Sequence, residues 1–191
     1  MEPLRQRLLE LLRARSWRRG AVVLSSGKTS SFYIDSKQTT LHAEGAAVVG
    51  RLVFSRIQAM RESGVEIRAA GGLTLGADPI AVATAVTSHA AGSPIDAFVI
   101  RKEPKEHGTA AWIEGGDALV AGSPVVILED VVTTGASTLR AVERARAAGL
   151  VVTCVIALVD REEGGAEAIR AAGLRFESLL QRHDFETSER R

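Results

Sequence analysis

Val125-Val126-Ile127-Leu128-Glu129-Asp130-Val131-Val132-Thr133-Thr134-Gly135-Ala136-Ser137-Thr138 carries an apolar strand into two adjacent carboxylates, then into a loop of small hydroxylated residues. That loop opens a helix expected over Leu139 to Ala148. Backbone N–H groups at a helix start lack intrahelical partners and bear partial positive charge, which makes them a seat for phosphate. Gly135 lets the backbone come close to a ligand or take positive φ. Thr133, Thr134, Ser137 and Thr138 add hydroxyl donors without bulk. Glu129 and Asp130 repel phosphate themselves. They suit hydroxyl donors or a metal ion, and a ribose 5-phosphate presents hydroxyls at the right end. The alternative is an ordinary strand–turn–helix corner with acids at a strand tip, the usual ligand side of an α/β sheet. Neither G-x-x-x-x-G-K-[ST] nor G-x-G-x-x-G after a strand occurs, so the two common nucleotide loops are excluded.

At 191 residues the chain suits one domain with a full core (1–191), its first forty or so residues forming an N-terminal hood. Hydrophobic content of 46% and charged content of 25% are those of a soluble globular protein. A net charge of +1 gives no field favouring nucleic acid or an acidic membrane. One cysteine, Cys154, lies in the apolar run Val151 to Val159 and reads as a small buried hydrophobe. No disulfide framework is possible within one chain, which fits a reducing cytoplasm. Charges interrupt the N-terminus too often for a signal peptide, and no stretch approaches the roughly 18 apolar residues of a membrane span. Leu4, Leu8, Leu11 and Leu12 instead mark one face of an amphipathic helix.

Strands and helices alternate along the rest. Ala21 to Leu24 and Phe32 to Asp35 read as short strands around Ser25-Ser26-Gly27-Lys28. Glu44 to Arg61 is helical, Glu66 to Ala70 a strand ending in Gly71-Gly72, and Asp78-Pro79 opens a helix to about His89. Ile95 to Ile100, Pro124 to Glu129 and Val151 to Asp160 are further strands, the last two apolar enough to be buried on both faces. The fold class is α/β, a mostly parallel central sheet flanked by helices, with a small N-terminal helix and hairpin.

Three other stretches carry chemistry. Arg101-Lys102-Glu103-Pro104-Lys105-Glu106-His107-Gly108 begins a long polar loop, rich in cations, that proline and glycine keep from being helical. Such a loop is a solvated surface segment or a lid, and its positive charge suits a pyrophosphate leaving group. Phe32 and Tyr33 follow Lys28 and offer flat apolar surface for a planar base, or alternatively a core. Arg161 follows Asp160 at a strand end, and a guanidinium is suited to a bidentate grip on a carboxylate.

The 125–138 run resembles the phosphoribosylpyrophosphate (PRPP) site of the type I phosphoribosyltransferases. Arg-Lys-Glu-x-Lys-x-His-Gly resembles the catalytic loop of one family among them, the orotate phosphoribosyltransferases. The resemblance runs from about Arg15 to the C-terminus, with four motifs in order. It implies that Glu129 and Asp130 hold the ribose hydroxyls, and that Val131, Val132, Thr133, Thr134, Gly135, Ala136 and Ser137 hold the 5-phosphate. Arg101, Lys102, Lys105 and His107 would be the catalytic cations on pyrophosphate, with Lys28 also on PRPP. Phe32, Tyr33, Thr133 and Arg161 would meet orotate. The implied reaction gives orotidine 5′-monophosphate, with Mg²⁺ carried by PRPP rather than by a protein cage and with no dedicated general base. A cytoplasmic homodimer that shares its lid loop between subunits, and that engages no nucleic acid or membrane, is also implied.

Two departures stand out. Gly72-Leu73-Thr74-Leu75-Gly76-Ala77-Asp78-Pro79 lacks the lysine that one branch of the family carries there, leaving that contact to backbone N–H groups, to Thr74, or unmade. Ala110-Ala111-Trp112 stands where polar or basic residues are common. A purine phosphoribosyltransferase would share the 129–135 loop but not the Arg-Lys-Glu-x-Lys-x-His-Gly and Asp-Arg pair. A non-catalytic nucleic-acid-binding regulator would need a basic patch or an added module.

Overall fold

The structure, a computed structural model, describes residues 1–23, 29–103, 112–115 and 119–187. In chain order the elements are α1 (Glu2–Arg15), β1 (Trp17–Val23), β2 (Thr29–Ile34), α2 (Lys37–Thr40), α3 (Ala43–Glu62), β3 (Ala69–Leu73), α4 (Asp78–Ala90) and β4 (Asp96–Ile100). There follow β5 (Ile113–Glu114), β6 (Pro124–Val132), α5 (Ala136–Ala147), β7 (Val151–Asp160), α6 (Gly165–Ala171), β8 (Arg175–Gln181) and α7 (Arg182–Thr187). β1 and β2 form an antiparallel hairpin; the main sheet has the order β5-β4-β3-β6-β7-β8. Its pairings are parallel except for the two-residue β5 against β4.

Alternation along the buried strands divides the core into two layers. Val126, Leu128, Cys154, Ile156 and Leu158 face the layer of α1, α3 and α4. Val125, Ile127, Val155 and Ala157 face α5 and α6. In α1 the leucine stripe is buried at Leu8, Leu9, Leu11 and Leu12. Arg5 Nε donates to the Leu179 carbonyl at 2.9 Å, and Arg13 donates to the carbonyls of Asp184 and Phe185 at 2.6 and 2.7 Å. The first helix is thereby fastened to β8 and α7.

Strand order decides where a ligand can bind. From β3 the chain crosses to β4 on one side; it later returns to the other side of β3 as β6 and moves away through β7 and β8. The order reverses between β3 and β6, so the loops leaving their carboxyl ends part and open a crevice. Pairing of β3 with β6 stops at Gly71–Ile127. A Cβ at Gly72 would lie 2.1 Å from the Leu128 carbonyl oxygen, so only glycine lets the two strands close up at the crevice mouth.

Some boundaries differ from the sequence expectation. β6 runs on to Val132 instead of stopping at Glu129, because Val131 and Val132 still pair with β7. α5 starts at Ala136, three residues before Leu139, where Gly135 at φ 80° turns the chain into the helix. β3 starts at Ala69 rather than Glu66, and β1 reaches back to Trp17.

Candidate active site

At the β3/β6 reversal lies a cleft of about 370 Å³ lined by Lys37, Leu73–Gly76, Lys102, Glu129, Asp130, Val131, Ser137 and Arg140. β6 delivers the two acids, and the strand repeat sends them to opposite sides of the sheet. Glu129 turns toward α5, where its Oε2 accepts the hydroxyls of Ser137 at 3.0 Å and Thr138 at 2.9 Å. Asp130 turns toward the N-terminal part, accepting the Ser36 hydroxyl at 2.5 Å and the Val131 N–H at 2.9 Å. Glu129 is 6% exposed. Burial, and then the charge of Asp130, push its carboxyl up to about 7 against the two hydroxyl bonds. An acid poised there is ready for a partner with hydroxyls.

The loop behind the acids is shaped from below. Gly135 has φ 80°, and α5 presents its first turn toward the cleft. A Cβ at Gly165, the first residue of α6, would lie 2.5 Å from the Thr133 carbonyl oxygen and 2.4 Å from Val132 Cγ1. α6 therefore buttresses residues 132–135 at backbone contact.

Cations enter from three elements. Lys37 stands 2.8 Å from Asp35, whose carboxylate holds the ammonium above its ordinary range, with Asp130 adding to the effect. Arg140 follows Ser137 by one helical step and shares its face. Lys102 comes from the segment after β4. There Arg101 pairs with Glu114 at 3.0 Å, and its N–H donates to the Trp112 carbonyl at 2.9 Å. Arg144 of α5 donates to the carbonyls of Arg101 and Lys102 at 2.6 and 3.2 Å and lies 4.0 Å over the Trp112 ring. Trp112 thus has a platform role that the alanines before it could not fill.

Thr74, where the lysine is missing, donates its N–H to the Ile100 carbonyl at 2.9 Å and its hydroxyl to Asp78 at 2.6 Å. The Thr74–Leu75 peptide is cis. Gly76 packs against Asp130, whose Oδ1 would be 2.6 Å from any Cβ placed there.

Of the residues singled out in the sequence, Glu129, Asp130, Val131, Ser137 and Lys102 are brought to one cleft. Arg161 lies beside the same loop, its N–H donating to the Val132 carbonyl at 2.9 Å. Phe32 and Tyr33 part company because neighbouring strand residues face opposite ways. Phe32 is buried against Phe185, with the Arg161 guanidinium 5.7 Å from its ring. Tyr33 lines a separate hollow of about 250 Å³ with Arg15, Arg18 and Gln38. Lys28, Lys105 and His107, together with Ala110 and Ala111, lie outside the described residues. Lys37 and Arg140 were absent from the sequence reading; for Arg140 the signal was its spacing from Ser137, and for Lys37 there was none.

No protein-family model matches the sequence. Individual relatives do. The chain is 52% identical over 181 residues to the orotate phosphoribosyltransferase of Sorangium cellulosum, covering 95% of this chain and 92% of that protein. It is 51% identical over 177 residues to the Nostoc enzyme of the same name, covering 93% and 82%. A crystal structure of Mycobacterium tuberculosis orotate phosphoribosyltransferase in complex with PRPP superposes with a TM-score of 0.78 at 42% identity, covering 96% of this chain and 99% of that one. Adenine phosphoribosyltransferase of Leishmania donovani, at 21% identity and a TM-score of 0.67, shares the fold alone. With that degree of identity along nearly its whole length, the chain belongs to the orotate phosphoribosyltransferase family.

Proposed function

We propose that the cleft between β3 and β6 is where this orotate phosphoribosyltransferase brings PRPP and orotate together. The reaction moves phosphoribose to N1 of orotate, releases pyrophosphate and gives orotidine 5′-monophosphate, a step of pyrimidine biosynthesis. The observation that carries the assignment is the meeting of Glu129, Asp130 and the α5 start with Lys37, Lys102 and Arg140 in one crevice.

Each group has a task set by its charge. N–H groups and hydroxyls of Val131, Val132, Thr133, Thr134, Gly135, Ala136 and Ser137 bind the 5-phosphate. Glu129 and Asp130 accept from the ribose hydroxyls, close to the positive charge that develops at C1 as the C1–O bond breaks. Negative charge gathers on the departing pyrophosphate, where Arg101, Lys102, Lys105 and His107 stabilise it, and Lys28 adds a further contact. Lys37 supplies a cation on the side where residues 72–79 lack one. Arg161 takes the orotate carboxylate beside Phe32 and Thr133, with Tyr33 assigned to the base from the family resemblance.

Mg²⁺ fits as a partner of PRPP. Its hard charge prefers phosphate oxygens, which the diphosphate of PRPP supplies. When bound, it neutralises diphosphate charge.

A homodimer is supported by an apolar face next to the cleft. Leu41, Leu75, Val82 and Val86 are 71%, 66%, 56% and 66% exposed around a hollow of about 660 Å³. Exposed apolar surface of that extent suits a self-complementary contact. Lys37 and Leu75 border both this hollow and the cleft, which agrees with a lid shared between subunits. Among the described residues no helix is long and apolar enough to cross a membrane. We place the enzyme in the cytoplasm on the reducing environment that the free, buried Cys154 suits.

Loss of orotate absorbance with Mg²⁺ and PRPP, and none of the corresponding change with uracil or adenine, tests the reaction. Replacing Glu129 and Asp130 by Gln and Asn tests the site. An unchanged KM for PRPP in that double variant would move the ribose elsewhere.

A further inference from the structure

The backbone around Arg161 is firmly placed. Its N–H donates to the Val132 carbonyl at 2.9 Å, and the next N–H, that of Glu162, donates to Asp160 Oδ1 at 2.9 Å. Glu162 sits at φ 56° and Gly164 at φ 90°, so the segment turns twice within three residues. The Glu162 carboxylate accepts the His183 N–H at 3.0 Å and meets its ring nitrogen at 3.0 Å, tying the turn to α7. Residues 160–164 are fixed at both ends.

Within this frame the Arg161 guanidinium, 9% exposed, is met by the Glu163 carboxylate at 2.7 Å. Glu163 is more exposed, at 34% for its side chain, and reaches inward from solvent. An Arg terminus pairs with a carboxylate along one edge of its donor fork. Orotate brings a carboxylate of the same chemistry to the same fork.

We propose that Glu163 tunes the affinity for orotate: it is an internal carboxylate that meets Arg161 while the base site is empty and that orotate displaces. The inference rests on Arg161 being the group that receives the orotate carboxylate. At 2.7 Å from the guanidinium, the Glu163 carboxylate offsets the charge of a nearly buried cation. It also turns orotate binding into an exchange of one carboxylate for another. A pyrimidine without a carboxylate has nothing to offer Arg161 in return, and leaves Glu163 where it is.

The test is Glu163→Gln, with Glu163→Asp as a second variant that keeps the charge but shortens its reach. At saturating PRPP, Glu163→Gln lowers the KM for orotate by about three- to tenfold, the change expected when a partly exposed competing charge is removed. The fall in KM exceeds any change in kcat. Inhibition by uracil, which has no carboxylate, does not tighten in parallel. Glu163→Asp falls between wild type and Gln. An orotate KM that is unchanged or higher in Glu163→Gln overturns the proposal, since Glu163 would then be orienting Arg161 or doing nothing to it. Arg161→Ala separates the two layers. If it leaves the orotate KM unaltered, the assignment of Arg161 itself fails; if it raises that KM while Glu163→Gln does not lower it, only the displacement fails.

Discussion

Replacing Glu129 with Gln makes the protein more stable above neutral pH while weakening its hold on ribose. The Glu129 carboxyl is pushed from 4.5 up to about 7, first by burial and then by Asp130. Between those two values the folded protein binds a proton that the unfolded chain has released. Stability supplied by that proton is fully present below pH 4.5 and is lost as pH rises through 7. At 1.36 kcal/mol per unit, the loss comes to about 3 kcal/mol by pH 8, against under about 1 kcal/mol at pH 5. Gln keeps an acceptor for the hydroxyls of Ser137 and Thr138 and carries no charge, so the loss disappears. Urea denaturation of both proteins at pH 5 and pH 8 measures it. Relative to wild type, E129Q gains roughly 2–3 kcal/mol between the two conditions, while its KM for PRPP rises at least about tenfold. If the stabilities of the two proteins run parallel across that range, burial of this charge is not what the fold sacrifices for its site.

Gly165→Ala pushes a methyl into Val132 and the Thr133 carbonyl; stability falls by about 1–3 kcal/mol and PRPP affinity falls with it, read by thermal melting and steady-state kinetics. An effect on melting alone would detach α6 from the phosphate loop's function. Trp112→Ala removes the surface beneath Arg144 and frees the Arg101–Lys102 segment, lowering kcat by about three- to tenfold; wild-type turnover would show that the platform is idle. Burial pushes the Cys154 thiol up to about 12, so a thiol-specific reagent labels the folded protein negligibly and the urea-unfolded protein fully. Rapid labelling under native conditions would contradict the core placement of β7.

Elements with strong periodicity are legible in the sequence. The leucines of α1 and the unbroken apolar runs of β6 and β7 specify burial by themselves, since no other packing satisfies them. Weak periodicity hid the rest. β8 mixes Arg175, Glu177, Ser178 and Gln181 with Phe176, Leu179 and Leu180 because it is an edge strand with one wet side. α6 has only seven residues, too few to establish a stripe. In the site, the acids and phosphate loop were visible because one local motif contains them. Lys37 was not, since it reaches the cleft only after the N-terminal part folds across β6. Phe32 and Tyr33 looked equivalent as letters and were separated by strand pleating alone. The end of β6 is not legible in the sequence, because acidic residues usually mark a strand's exit, whereas pairing with β7 carries this strand on through Val131 and Val132.

The bonds from Arg5 and Arg13 to Leu179, Asp184 and Phe185 join groups between 171 and 179 residues apart along the chain. During synthesis α1 must therefore wait, its leucine stripe uncovered on that side, until β8 and α7 have left the ribosome. Contacts of such long span are slow to form, and surfaces that await them are prone to stick to others. Removing α7 would deny the nascent α1 its late partner, so α7 acts as a latch on α1.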